Sequence, residues 1–151
     1  RNYMKVQIAK IEDFENWLKL AKEVEPLFGP MAEEGPFQTA LKILIEHKQA
    51  FCIKQDAEFC GAIAISKNDN EILWFAVSQT CKGKGYGRSL LQYATNELDG
   101  YKNITVQTFA DGIKVGEPAR QLYQSFGFID LKPSENNPAG YPTVIMIKNP
   151  N

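Results

Sequence analysis

No apolar run in the sequence approaches the roughly 18–20 residues needed to cross a membrane. The chain also does not open with a positively charged segment followed by an apolar one, as a secretory leader would. We therefore expect a cytoplasmic protein without a membrane partner. Arg1 precedes Met4, which is consistent with residues 1–3 being an upstream extension.

An excess of charge of one sign is also missing. The 151 residues include 17 lysines and arginines and 18 acidic residues, for a formal net charge of -1. A polycation that coats nucleic acid is thereby excluded, and we expect no nucleic-acid partner. Hydrophobic residues make up 44% of the chain, which excludes wholesale disorder. The length predicts one domain over residues 1–151.

Cysteine and histidine are scarce. The chain has three cysteines, Cys52, Cys60 and Cys81, and one histidine, His47. Because their number is odd and their spacing is not that of metal ligands, we predict three reduced thiols and no metal. Cys52 and Cys60 fall on successive predicted strands and could face each other across a hairpin. A zinc site and a Ser-His-Asp triad are both disfavoured.

Hydrophobic periodicity predicts the element order β-α-α-β-β-β-α-β-α-β-β. Prolines and glycines between residues 26 and 36 predict a loop, and the strand over 71–77 is apolar on both faces, as a central strand would be. We predict an α+β fold with a central, mixed, mostly antiparallel sheet of about six or seven strands and about four helices. The predicted strands cover 6–11, 50–53, 59–65, 71–77, 104–109, 128–131 and 143–147, and the helices 14–24, 37–46, 88–98 and 117–125.

A loop rich in glycine and lysine, KGKGYG at residues 82–87, joins the strand over 71–77 to the next helix. Unpaired N–H groups and the dipole at a helix start attract an anion, and glycines let phosphate oxygens approach the backbone. The alternative is that the glycines only form a tight turn. The loop fits neither G-x-x-x-x-G-K-[ST] nor G-x-G-x-x-G, which disfavours an ATPase and a dinucleotide oxidoreductase.

Two segments resemble motifs of the GNAT superfamily of N-acetyltransferases. Residues 77–91, VSQTCKGKGYGRSLL, are similar to the family's [R/Q]-x-x-G-x-[G/A] motif, and residues 119–128, ARQLYQSFGF, are similar to A-x-x-L-Y-x-x-x-G-F. The element order matches the family along nearly the whole chain. The resemblance implies a GNAT-like fold and direct transfer of an acetyl group from acetyl-CoA to a primary amine in a ternary complex, without a metal. Lys82 departs from the family's Arg or Gln, and Gly116 stands where many members have Asn.

The same resemblance assigns contacts with acetyl-CoA to the strand end and the loop. Val77 would act through its main-chain N–H, because the family splays this strand from the next one and leaves an edge open. The implied cofactor-binding residues are Val77, Lys82, Gly83, Lys84, Gly85, Tyr86, Gly87, Arg88 and Ser89.

Two residues fall on catalytic positions of the family. Tyr123 matches the general acid, and a phenol with a pKa of about 10 suits a departing thiolate. Glu71 lies eleven positions before Lys82, where histone-acetylating members have their general base. The alternatives are that Tyr123 only packs its ring under the closing strands and that Glu71 is a solvated turn residue.

The amine site is expected between the loops at 26–36 and 133–142. Glu25, Glu33, Glu34 and Glu135 would make its rim negative, which suits a cationic amine. A small-molecule amine is favoured. The alternatives are a protein or peptide acceptor, which a through-groove would indicate, and a noncatalytic acyl-CoA-binding regulatory module. The family often dimerises, so a homodimer is left open.

Overall fold

The computed structural model describes residues 5–150, and the suggested extension at residues 1–3 lies outside them. The predicted element order is confirmed. No helix in the described range is long and apolar enough to span a membrane. The strands are β1 (Gln7–Ile8), β2 (Ala50–Gln55), β3 (Glu58–Ser66), β4 (Glu71–Val77), β5 (Ile104–Phe109), β6 (Phe128–Ser134) and β7 (Thr143–Lys148). The helices are α1 (Phe14–Phe28), α2 (Gly35–Glu46), α3 (Tyr86–Glu97) and α4 (Glu117–Ser125).

The strands form one seven-stranded sheet in the order β1-β2-β3-β4-β5-β7-β6. All neighbours are antiparallel except β4 and β5, which are parallel because the chain crosses over through α3 between them. The predicted central place of β4 is confirmed, since three strands lie on each side of it. The mixed sheet with four helices is the α+β architecture that the sequence predicted.

Each face of the sheet has its own hydrophobic core. Along β3, Ile63 and Ile65 pack in the core that contains α3 and α4, whereas Ala62 and Ala64 pack in the core that contains α1 and α2. The small alanines leave room for Trp17 of α1, which is fully buried. The two helical layers thereby hold the central strands between them, including the strand that carries the site.

A gap opens between β4 and β5. These strands pair only through Glu71 with Thr105 and Ile72 with Val106. Leu73 is left out of the β3–β4 register as a bulge, which bends the strand at the point where the pairing with β5 ends. Beyond it, β5 pairs with β7 along its whole length. The C-terminal half of β4 therefore has one open main-chain edge.

The structure corrects several predicted boundaries. The first strand covers only Gln7–Ile8 of the predicted 6–11, and α3 begins at Tyr86, two residues before the predicted start. The loop predicted from residue 26 begins only at Gly29, because α1 continues through Pro26 to Phe28. Proline is tolerated so near the helix end, where Phe28 stacks on Phe109 with ring centroids 5.9 Å apart. Helix α2 begins at Gly35 with Pro36 in its first turn, where a missing N–H costs no intrahelical bond.

Candidate active site

Two adjoining cavities occupy the gap beside β4. The larger, about 570 Å³, lies between β4, β5 and the loop that follows β6. The smaller, about 220 Å³, lies between the end of β4, the glycine-rich loop and the start of α4. Phe28, Phe75, Phe109 and Ala119 line both cavities. A molecule that lies along the glycine-rich loop would therefore end next to whatever occupies the larger cavity.

The open edge of β4 presents main-chain hydrogen-bonding groups to this gap. Ser78 N–H donates to the carbonyl oxygen of Cys60 on β3 at 2.7 Å. Because N–H directions alternate along a strand, the N–H groups of Val77 and Phe75 point away from β3, toward the gap. This supports the role predicted for Val77. It adds the N–H of Phe75, which sequence reasoning missed because a main-chain donor leaves no mark on the side-chain pattern.

The glycine-rich loop has the conformation that a phosphate cradle requires. Gly83 and Gly85 have φ of 79° and 86°, in the left-handed region that favours glycine. A Cβ at Gly83 would meet nothing within 4 Å, so glycine is needed there for its backbone conformation. Lys82 lines the smaller cavity, and Lys84 is exposed on the loop. With the unpaired N–H groups at the start of α3, these residues fit the diphosphate of a nucleotide cofactor.

Three predicted cofactor residues make other contacts within the protein. Tyr86 is 6% exposed and packs in the core, and it also lines the smaller cavity. Arg88 donates from Nη2 to Ser125 Oγ at 3.3 Å. Ser89 N–H donates to the carbonyl of Gly85 at 3.1 Å inside the helix. Cofactor contacts by these three residues stay predictions.

Tyr123 lies where the gap meets α4. Its side chain is 3% exposed and lines the larger cavity. The ring packs edge-to-face against Phe75 and Phe128, with centroids 6.1 and 5.5 Å apart. Burial raises the pKa of the phenol above its ordinary value, so the group keeps its proton at neutral pH. The ring thus packs as the structural alternative predicted, and the residue also lines the cavity, so the acid role stays a prediction.

Glu71 stands apart from Tyr123. It opens β4 opposite Ser66, and its neighbours Ile72 and Leu73 line the larger cavity, whereas Glu71 lines neither cavity. Burial, with a smaller contribution from Asp69, raises the pKa of its carboxyl. The structure therefore gives Glu71 the electrostatics of a base without placing it in the cavity.

Phe109 explains why a glycine replaces the family's asparagine at position 116. A Cβ on Gly116 would lie 2.3 Å from the Cβ of Phe109, which no real contact allows. The buried Arg120 donates from Nη1 to the carbonyl of Phe109 at 3.2 Å and from Nη2 to Asp130 at 3.1 Å. The end of β5 is thereby held against α4, and an aromatic ring fills the place of a polar side chain.

The loops that follow α1 and β6 touch and close one side of the larger cavity. Asn137 Nδ2 donates to the carbonyl of Leu27 at 2.9 Å. Gly29 has φ of 105°, and a Cβ there would lie 2.5 Å from the Cβ of Pro138. The cavity thus lies between the two loops that the sequence singled out.

The acidic rim is smaller than the sequence suggested. Of the four acids, only Glu135 lines the larger cavity. Glu25 Oε2 accepts the N–H groups of Met31 and Ala32 at 2.9 and 2.8 Å, and these hydrogen bonds lower the pKa of its carboxyl. Glu25 therefore braces the loop after α1 and is not a free charge for a substrate.

Comparisons with known proteins agree with this geometry. A family model described as an acetyltransferase (GNAT) domain matches residues 46–130. Among solved structures with this fold is a GNAT-family acetyltransferase from Bacillus cereus, with a TM-score of 0.73, 20% sequence identity and 99% of both chains covered. PaiA N-acetyltransferase from Thermoplasma acidophilum in complex with coenzyme A has a TM-score of 0.74 and 17% identity, over 98% of this chain and 99% of that chain. Ribosomal-protein-S18-alanine N-acetyltransferase from Escherichia coli has a TM-score of 0.73 and 16% identity, over 97% of this chain and 94% of that chain. No curated protein matches.

Proposed function

The chain belongs to the GNAT family of acetyl-CoA-dependent N-acetyltransferases, and within it we propose that the acceptor is a small primary amine and that the acetyl group moves directly to it. The larger cavity would hold the amine. The smaller cavity and the glycine-rich loop would hold the donor. A small acceptor is favoured because the loops after α1 and β6 are in contact.

The donor side fits acetyl-CoA through charge and main-chain geometry. Lys82 and the N–H groups at the start of α3 would bind its phosphates. The open edge at Val77 would pair with its amide-containing arm as an added strand. When bound, the cofactor supplies an activated acetyl thioester, and the remaining chemistry falls to the protein.

The transfer forms a C–N bond and breaks a C–S bond, while one proton leaves the amine and another reaches the sulfur. The N–H of Phe75 is our candidate for stabilising the negative charge that develops on the acetyl oxygen. Tyr123 would give its proton to the departing thiolate. Glu71 would take the proton of the amine through water, because it does not line the cavity.

The shape of the larger cavity favours a small acceptor. The hydrogen bond from Asn137 to Leu27 ties the loop after β6 to the end of α1, and Gly29 in the next loop lies close to Pro138. A peptide that crossed the site would have to separate them. Five aromatic residues line the cavity, with Trp74 and Phe109 among them, and Glu135 adds a carboxylate. These features suit a compact amine with an apolar part.

Calorimetric titration with acetyl-CoA, followed by a free-thiol assay, tests the proposal. Amines of graded size and peptides with free N-termini would be compared at the same concentration. We expect acetyl-CoA to bind and thiol to be released with small amines. Release only with peptides would move the assignment to the peptide-acetylating alternative. Binding without release from any acceptor would favour the noncatalytic module.

A further inference from the structure

Three potential metal ligands meet beside the glycine-rich loop. They are Glu58 and Cys60 of β3 and Cys81, which ends a short 3-10 helix immediately before Lys82. One carboxylate oxygen and the two sulfur atoms all lie within 4.8 Å of one another. Both cysteines are 1% exposed, whereas Glu58 is exposed and leaves a route from solvent.

The fold brings these residues together although their sequence spacing does not predict it. Ser78 N–H donates to the carbonyl of Cys60, which places the start of the 3-10 helix against β3. The third cysteine lies elsewhere: Cys52 is opposite Ala62 and packs in the core of the other sheet face. The Cys52–Cys60 pair considered from the sequence is therefore not formed, and Cys60 faces Cys81 instead.

We propose that Glu58, Cys60 and Cys81 bind a thiophilic divalent cation of the zinc type. Thiolates select such ions over magnesium and calcium, and a carboxylate is an accepted third ligand. Binding forms two M–S bonds and one M–O bond and releases the two thiol protons to solvent. Two thiolates and one carboxylate leave one negative charge on the loaded site. A fourth position stays open for water.

A neighbouring hydroxyl already orients the carboxylate. Thr80 Oγ1 donates a hydrogen bond to Glu58 Oε2. Hydrogen bonds of this kind fix metal ligands in their binding orientation. Because Cys81 directly precedes Lys82 and also lines the smaller cavity, the ion would tie β3 to the start of the phosphate-binding loop.

Cadmium serves as the probe because Cd–thiolate bonds absorb in the ultraviolet. The reduced, metal-free full-length chain is titrated with Cd²⁺, and bound Cd²⁺ is then displaced with Zn²⁺. We expect one equivalent of Cd²⁺ per chain and a charge-transfer band that Cys60→Ala and Cys81→Ala abolish. The matched variant Cys52→Ala should keep the band, and circular dichroism would verify that each variant is folded.

Substitutions at the exposed residues Glu58 and Thr80 test the site without changing a buried cysteine. Glu58→Gln should weaken Cd²⁺ binding, and Thr80→Val should weaken it by about 10–100-fold. The neighbouring acid variant Asp56→Asn should not change the affinity. The proposal is overturned by an absent band in the wild type, by a band that survives Cys81→Ala, or by unchanged affinity in Glu58→Gln. Loss of two free thiols without metal would also overturn it, since it would reveal a disulfide.

Discussion

Replacing Tyr123 with phenylalanine separates catalysis from packing. The ring is buried between Phe75 and Phe128, and phenylalanine fills the same space. Desolvation is the one influence on the pKa of the phenol, with no hydrogen bond to its hydroxyl among the described residues. The variant removes an oxygen that faces the cavity and leaves no partner unsatisfied.

The expected loss is large for turnover and small for stability. A positioned general acid contributes about 10²–10⁴-fold, which corresponds to ~2.7–5.5 kcal/mol in the transition state. Because the hydroxyl has no partner to lose, the free energy of unfolding should change by less than about 1 kcal/mol. The dissociation constant for acetyl-CoA should stay the same, since the phenol is not placed on the glycine-rich loop.

The pH dependence of stability gives an independent check on the burial of this phenol. A phenol whose pKa is raised in the folded state contributes its full stability below its unfolded pKa of about 10 and loses it as the pH rises further. The wild type should therefore lose more stability than Tyr123→Phe above about pH 10. Denaturant unfolding at a series of pH values measures this difference.

Turnover is measured by thiol release and stability by denaturant unfolding, each for the wild type and for Tyr123→Phe. A Tyr123→Phe variant that kept full turnover with the best amine would refute the acid role. A variant that lost activity together with several kcal/mol of stability would show that the hydroxyl is structural.

Four further predictions address other parts of the site. Gly116→Ala should cost about 1–3 kcal/mol of unfolding free energy, because its Cβ would overlap Phe109; denaturant titration measures it. Lys82→Ala should weaken acetyl-CoA binding about tenfold (~1.4 kcal/mol) and flatten its salt dependence in calorimetry. If Glu71 is the base, Glu71→Gln should slow turnover and remove the acidic limb of the pH–rate profile, a limb that its raised pKa shifts upward. Glu25→Gln should destabilise the fold at neutral pH. The difference from wild type should shrink as the pH falls below the unfolded pKa of about 4.3 and vanish below the lowered pKa of the folded state, and denaturant unfolding at a series of pH values measures it.

The element order could be predicted because hydrophobic residues recur at the helix or strand period within each element, and prolines and glycines mark many of the element ends. The mistakes occurred where a tertiary contact outweighed a local rule. Pro26 predicted a helix end, yet α1 continues through it to Phe28, whose ring stacks on Phe109. Glu25 looked like a substrate-facing charge, yet it satisfies two main-chain N–H groups of the following turn.

The functional features that the sequence could not predict are mostly relations between strands. Whether the N–H of Phe75 faces the gap depends on the register of β3 against β4, and the main-chain hydrogen bond from Ser78 to Cys60 continues that register beyond β4. That same bond draws Cys81 toward Cys60, 21 positions away in sequence, so that no spacing motif could reveal the thiol pair. The register therefore supplies both the donor edge of the proposed active site and the ligand geometry of the proposed metal site.

Position 116 is a glycine where many family members have asparagine, and Phe109 explains this difference. With Phe109 at the end of β5, any side chain at position 116 would overlap its ring. Arg120 fixes the main chain of Phe109, so the ring cannot be relieved by a shift of the strand end. Phe109 lines both cavities, so its apolar ring borders them where β5 ends. Phe109→Ala combined with Gly116→Asn should therefore fold better than Gly116→Asn alone, and equal stability of the two would show that the ring does not impose the glycine.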